Sequence, residues 1–249
     1  MKGRDALASD AERKRSEEML AEMLGIASKV IIRRTSDLLS KYLPVKYDHV
    51  VFVKMTPMQI NMYNAFMASK AVKDAIKTSE EGEKGGQMPL KQITTLKKLC
   101  NHPSLVDLSE WSAPTSSLLP AEYDPKQVQP IFSGKLLLLE KMLRDIKQTT
   151  DDKVVLISNY TQTLDLFERM CRQRSWGSLR LDGTMTISKR QKLVDTFNQP
   201  DGHEFVFLLS SKAGGCGLNL VGANRLVLFD PDWNPGLSFL LYFFMWKPC

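Results

Sequence analysis

Phe205-Val206-Phe207-Leu208-Leu209-Ser210-Ser211-Lys212-Ala213-Gly214-Gly215-Cys216-Gly217-Leu218-Asn219-Leu220 is the stretch that decides the fold. Phe205 to Leu209 is a short apolar run without in/out alternation, the pattern of a strand covered on both faces. A loop with three glycines in four residues follows it at once. Glycines let a backbone adopt positive φ or approach a ligand closely. Exposed N–H groups at a strand end make an anion nest, and in open α/β sheets ligands sit at the carboxyl ends of strands. Ser210, Ser211 and Lys212 add donors and a cation beside the loop. A tight structural turn would use the same glycines.

Working outward, the surrounding sequence repeats the scheme. Ser133-Gly134-Lys135 opens a leucine-rich helix over 136–146, and Val154 to Ile157 is a short apolar run. A helix over 161–174, the run Leu179-Arg180-Leu181, a helix over 186–198, the run from Phe205 and a last run, Leu226 to Phe229, complete the pattern. Short buried strands alternating with amphipathic helices predict an α/β lobe with a parallel sheet.

Upstream the chain is helical and looser. Residues 10–28 read as an amphipathic helix, with Asp10 as N-cap and a core-packing stripe of Met19, Leu20, Met23, Leu24 and Ile26. Val50 to Val53 is short and β-branched, the signature of a strand. Thr56-Pro57 is an N-cap followed by proline at the first helical position, and predicts a helix to about Lys77. Residues 78–88 read as a polar loop, and Leu90 to Cys100 as a helix stopped at Asn101-His102-Pro103. The proline-rich stretch 103–131 reads as a long irregular connector. The expected domains are therefore residues 1–133, 134–235 and a divergent apolar tail, 236–249.

Composition narrows the class. The chain has 249 residues, 43% of them hydrophobic, and a net charge of +6. That is enough for a real core, and the mild basic excess is compatible with a polyanionic partner without requiring one. Cys100, Cys171, Cys216 and Cys249 form no CxxC pair, which fits reduced thiols in the cytosol or nucleus. No metal site is expected: Cys100 and His102 are only two ligands. No apolar run approaches the roughly 18 residues of a membrane span. The histidines, His49, His102 and His203, are scattered, and His102 before Pro103 reads as structural.

Three further strand ends carry polar groups. Ser158-Asn159-Tyr160-Thr161 can hydrogen-bond phosphate at a helix start, or simply cap that helix through Asn159 or Thr161. Leu181-Asp182-Gly183-Thr184 offers a turn and a hydroxyl donor, with Arg190 near enough in sequence to pair with Asp182 or reach a phosphate. Asp230-Pro231-Asp232-Trp233-Asn234-Pro235 is a proline-fixed turn, its Trp233 either exposed or anchored in a pocket.

Arg33-Arg34-Thr35, Leu43-Pro44-Val45-Lys46, Leu99-Cys100-Asn101-His102-Pro103, Ser133-Gly134-Lys135, Ser158-Asn159-Tyr160-Thr161, Leu181-Asp182-Gly183-Thr184, the glycine loop and Asp230-Pro231-Asp232-Trp233-Asn234-Pro235 resemble, in that order, the C-terminal RecA-like lobe of SWI/SNF-type superfamily-2 DNA translocases. The wording of 158–167 and 210–220 resembles the recombination-repair branch of that family. The resemblance implies a RecA-like lobe preceded by a helical protrusion over 36–131, nuclear localisation, double-stranded DNA as partner and a strand-exchange recombinase beside it. It implies phosphate-backbone contacts from Ser158, Asn159, Thr184, Ser211 and Lys212, and a nucleotide cleft at Gly215, Gly217 and Asn219. ATP and Mg would serve the complete motor.

The chain departs from the family pattern at both ends. No GxxxxGK[ST] occurs, so no P-loop is present to cradle phosphates. The family continues after Pro235 into a helix with paired arginines, one of them an arginine finger worth orders of magnitude in phosphoryl transfer. Here no arginine follows Arg225, and 236–249 is aromatic and nearly uncharged. That tail reads as translated intron or shifted frame, or as a segment covering the sheet. The expectation is a piece of an ATP-dependent translocase that binds no nucleotide productively alone. The alternative is a non-catalytic DNA- or partner-binding module. An unrelated small-molecule enzyme fits poorly, because no Ser/His/Asp or Cys/His constellation has a sensible context.

Overall fold

The computed structural model describes residues 8–32, 47–70, 72–74, 88–108, 118–124, 126–213 and 218–230. The segments 33–46, 78–87, 214–217 and 231–249, on which several expectations fell, lie outside the described residues. The backbone groups into two units that divide at His49/Val50.

The first unit contains α1, Asp10–Ala27. Its N-cap is Ser9, one residue before the expected Asp10, because Ser9 and Glu12 satisfy each other in a capping box. The expected core stripe is not buried: Met19, Leu20, Met23, Leu24 and Ile26 are all exposed, Leu24 at 56%. Amphipathic spacing supplied a face that the described residues of this unit leave uncovered.

In the second unit, residues 50–56 precede the first helix without regular secondary structure: Val50 to Val53 form no strand, and Phe52 is 94% exposed. Strand propensity fails there because no neighbour completes the ladder among the described residues. α2, Pro57–Ala68, starts at the Thr56 cap as expected and breaks at Ser69; Lys70 and residues 72–74 are helical again, and Lys77 lies outside the described residues. α3, Met88–Asn101, packs on it, burying Met58, Met62, Phe66 and Leu99. The proline-rich connector contains two 3₁₀ turns, Pro103–Leu105 and Pro130–Phe132, which deliver the chain to the Ser133 cap.

The α/β part follows the sequence closely. α4 is Gly134–Thr149, β1 Val154–Ser158, α5 Thr161–Gln173, β2 Gly177–Leu181, α6 Ile187–Asn198, β3 Glu204–Ser210 and β4 Arg225–Leu228. The sheet is parallel throughout, in the order β2-β3-β1-β4. Successive β1 residues point to opposite faces. Val154 and Leu156 join Leu139, Leu143, Phe167 and Met170 of α4 and α5, while Val155 and Ile157 join Val194 and Phe197 of α6. Both faces are covered, which is why β1 is apolar at consecutive positions.

Gly134 has a steric reason. A Cβ there would collide with the Lys54 carbonyl oxygen. Gln59 completes this junction: its amide donates to the carbonyls of Leu99 (2.8 Å) and Cys100 (3.2 Å), and its Oε1 accepts from Gly134 N–H (3.2 Å). One buried side chain therefore ties α2, the end of α3 and the start of α4.

Candidate nucleic-acid interface at the strand ends

Parallel register places every strand-end motif on one edge. Ser158 of β1 is level with Ser210 of β3, and Leu181 of β2 with Leu209. The Ser211 N–H donates to the Ser158 carbonyl at 3.0 Å, extending the ladder one step past the strands.

Asp230, just beyond β4, organises the centre of this edge. Its Oδ1 accepts from Asn159 N–H (2.9 Å), its Oδ2 from Ser158 Oγ (2.9 Å) and Asn101 Nδ2 (2.9 Å), and its carbonyl from Asn159 Nδ2 (2.7 Å). Asn101 in turn accepts from Lys135 Nζ (3.2 Å) at Oδ1 and from Ser133 Oγ (2.7 Å) at its carbonyl. Lys135 also reaches the Phe229 carbonyl at 3.2 Å. Burial raises the Asp230 carboxyl above its ordinary range, against the pull of the Asn159 N–H, Ser158, Asn101 and Lys135. Four of the sequence motifs thus meet in one polar network.

The second group is at the end of β2. Asp182 Oδ1 accepts from Thr184 Oγ1 (2.6 Å) and Thr184 N–H (3.1 Å), an Asx turn. Those two bonds hold the Asp182 carboxyl below its ordinary range, with Arg180 adding to the effect. Arg180, not Arg190, is the partner of Asp182, and it also pairs with Asp165 and Glu168. The alternation inside β2 puts Arg180 within reach, whereas Arg190 Nε is buried with no hydrogen-bond partner.

The expected contact residues differ in accessibility. Ser158 is 1% exposed and its hydroxyl is spent on Asp230 and the Tyr160 carbonyl. Asn159 is half-buried, and the position preceding α5 is Tyr160, with no side-chain cap; neither Asn159 nor Thr161 caps that helix. Thr184 and Lys212 are exposed. Ser211 is buried and its hydroxyl has no hydrogen-bond partner. Asn219 is exposed, and its carbonyl accepts from Asn198 Nδ2 at 2.8 Å. Gly215 and Gly217 lie outside the described residues.

Among the described residues, no three His, Cys, Asp or Glu are grouped so as to hold a metal ion. None of the described helices is long and apolar enough to cross a membrane. His102 is the structural histidine expected. It is fully buried, its Nδ1 accepts from Ser104 N–H (3.1 Å) and its Nε2 lies 3.2 Å from the Gln129 carbonyl, so the proton is on Nε2. Burial lowers its pKa to about 4.

Sequence reading missed Asn101, Lys135 and Gln59 as working parts. Asn101 and Asp230 are 129 positions apart, and no local pattern links them. The arginine inside the apolar run Leu179-Arg180-Leu181 was the one available signal for Arg180.

Comparison with known proteins gives a consistent result. A helicase conserved C-terminal domain matches residues 134–239, and an SNF2-related domain matches residues 4–105. The chain is 52% identical over 242 residues to the DNA repair protein rhp54 of Schizosaccharomyces pombe, covering 94% of this chain and 28% of that protein. It is 53% identical over 241 residues to the DNA repair and recombination protein RAD54 of Saccharomyces cerevisiae, covering 94% and 26%. It is 54% identical over 240 residues to a RAD54-like DNA repair and recombination protein of Gallus gallus, covering 94% and 32%. The chain thus spans about a quarter to a third of the length of these curated relatives. Among solved structures, the C-terminal part of the Fun30 ATPase domain superposes with a TM-score of 0.63 at 24% identity, covering 82% of each chain. The Sulfolobus solfataricus SWI2/SNF2 ATPase core in complex with double-stranded DNA superposes with a TM-score of 0.59 at 22% identity, covering 88% of this chain and 42% of that one.

Proposed function

Since the chain belongs to the SNF2-related family and carries its helicase conserved C-terminal domain, we propose that it supplies the DNA-gripping second lobe of an ATP-driven double-stranded DNA translocase of recombinational repair. The observation that carries this reading is the strand-end edge. Parallel register gathers Asn159, the Thr184 turn and Lys212 along one side of the sheet, in a chain of net charge +6. Lys212 and Thr184 face solvent, and the Asn159 amide has a second N–H with no acceptor among the described residues. The Ser211 hydroxyl is buried and has no hydrogen-bond partner among the described residues, so a change at this edge is required before it can reach a phosphate. Ser158 contributes through the loop it holds.

Such contacts address the phosphate backbone, so binding is sequence-independent and falls steeply with salt. ATP with magnesium supplies the energy of the complete motor, and Gly215, Gly217 and Asn219 belong to its nucleotide cleft in this reading. The nucleus is the proposed location and a strand-exchange recombinase the proposed protein partner. The 249-residue polypeptide contains no GxxxxGK[ST]; taken alone it is expected to show no DNA-stimulated ATP hydrolysis.

The test is fluorescence anisotropy with a short duplex between about 50 and 200 mM salt. Lys212→Ala is expected to weaken binding equally for unrelated sequences and to reduce the salt slope by about 1. An unchanged affinity and slope would sink the strand-end reading.

A further inference from the structure

The side-chain bonds of the network around Asp230 lie beyond the strand ladders, and none of them is a rung of the sheet. Its members come from separate parts of the chain: Asn101 ends α3 in the helical region, Lys135 starts α4, and Ser158 and Asn159 end β1. Both Asp230 carboxylate oxygens are occupied by donors from within the chain. Asp230 is 9% exposed. A buried carboxylate with both oxygens occupied offers nothing to a phosphate and would repel one. Lys135, within hydrogen-bond reach of both Asn101 Oδ1 and the Phe229 carbonyl, offsets that charge. What Asp230 does hold, twice, is Asn159: its carboxylate accepts from the backbone N–H at 2.9 Å and fixes the main chain there, which brings the side-chain amide to the Asp230 main-chain carbonyl at 2.7 Å. These two bonds fix the direction of the remaining amide N–H.

We propose that Asp230 and Asn101 are positioning residues, which lock the Asn159 amide toward a DNA phosphate and so connect the helical region at α3 to the DNA-contacting edge. The proposal rests on the strand-end reading of function. A partner that ordered or displaced the end of α3 would change duplex affinity through this connection without touching DNA.

The experiment is a double-mutant cycle on the full chain, read by duplex anisotropy. Asn159→Ala, Asp230→Asn and Asn101→Ala are each expected to weaken binding by about five-fold, the worth of one ordinary hydrogen bond. Asp230→Asn and Asn101→Ala should then cause no further loss on the Asn159→Ala background. Losses that persist undiminished on that background overturn the proposal, because a merely structural role is blind to Asn159. Normal binding by Asp230→Asn and Asn101→Ala, with Asn159→Ala impaired, overturns it equally. Lys212→Ala separates the two levels. If it weakens binding while Asn159→Ala does not, the strand-end reading stands and the positioning role falls; if neither matters, the strand-end reading itself fails and takes this proposal with it. Thermal melts establish folding, and Asn101→Ala leaves the carboxylate in place should Asp230→Asn not fold. In the unsubstituted chain the Asn159 backbone amide should resist hydrogen exchange; free exchange there also overturns the proposal.

Discussion

α1 and α5 carry apolar stripes of the same helical spacing and end in opposite environments. In α5, Leu164, Phe167, Met170 and Cys171 are buried to 1% exposure or less against the sheet. In α1, Met19, Met23, Leu24 and Ile26 are more than half exposed, and no residue of the helix is buried. The helices differ in how sharply their apolar residues are segregated, far more so in α5, and they differ also in what faces them. A buried leucine or phenylalanine side chain stabilises by roughly 1.5–3 kcal/mol, and an exposed one by nothing. α5 lies against β1, β2 and β3, and Val154, Leu156, Phe205, Val206 and Leu208 share its apolar cluster. α1 has its capping box and helix propensity, which leave even an 18-residue helix marginal on its own. A stripe is an offer of burial, and stability comes only with a complementary surface.

The most severe way to challenge that contrast is to cut into the sheet. Phe207→Ala removes a fully buried ring that packs on Phe197 at a centroid separation of 5.0 Å. It is expected to cost about 3–5 kcal/mol in urea denaturation. A loss below about 1 kcal/mol would mean that the sheet core is not the stabilising element assumed here.

An effect of somewhat smaller size sharpens the contrast at the junction of the helical region and the sheet. His102 is held neutral there, its pKa lowered to about 4 by burial, with Arg169 adding to the effect against the Gln129 hydrogen bond. An unfolded histidine titrates near 6.5, so the unfolded chain binds the extra proton first. Stability is therefore complete above about pH 6.5 and is lost as pH falls toward 4, by on the order of 3 kcal/mol. Urea midpoints measured across that window should fall in the parent chain and flatten in His102→Gln. An equal slope in both would remove His102 as the cause.

The smallest effect is expected where the contrast makes its boldest claim. Leu24→Ala in α1 should change stability by no more than about 0.5 kcal/mol, the ordinary value for a surface site. A cost comparable to Phe207→Ala would show that the α1 stripe is covered in the folded protein.

Much of the α/β part was legible because its signals are local. The runs 154–157 and 205–209 read as strands from their unbroken apolar character, and Ser133 and Thr56 marked helix starts through capping chemistry that spans only a few residues. The candidate site was legible as a set of strand ends but not as a machine. Val50 to Val53 misled for the complementary reason: β-propensity describes a residue suited to a ladder, and no described strand pairs with it. Arg180 displaced Arg190 as the partner of Asp182 through geometry that alternation within one strand decides.

What the sequence determined by itself was therefore everything set within about one turn or one strand: the order of elements, their type, most of their starts, and the eight ordered motifs by which the family could be recognised. Tertiary structure alone decided which of those motif residues face outward. It turned Ser158 inward and left Lys212 in solvent. It brought Asn101 to Asp230 across 129 positions. The physical reason is range. Capping, periodicity and backbone sterics act between near neighbours in the chain, whereas burial and the pairing of buried polar groups depend on what the completed fold places on the other side.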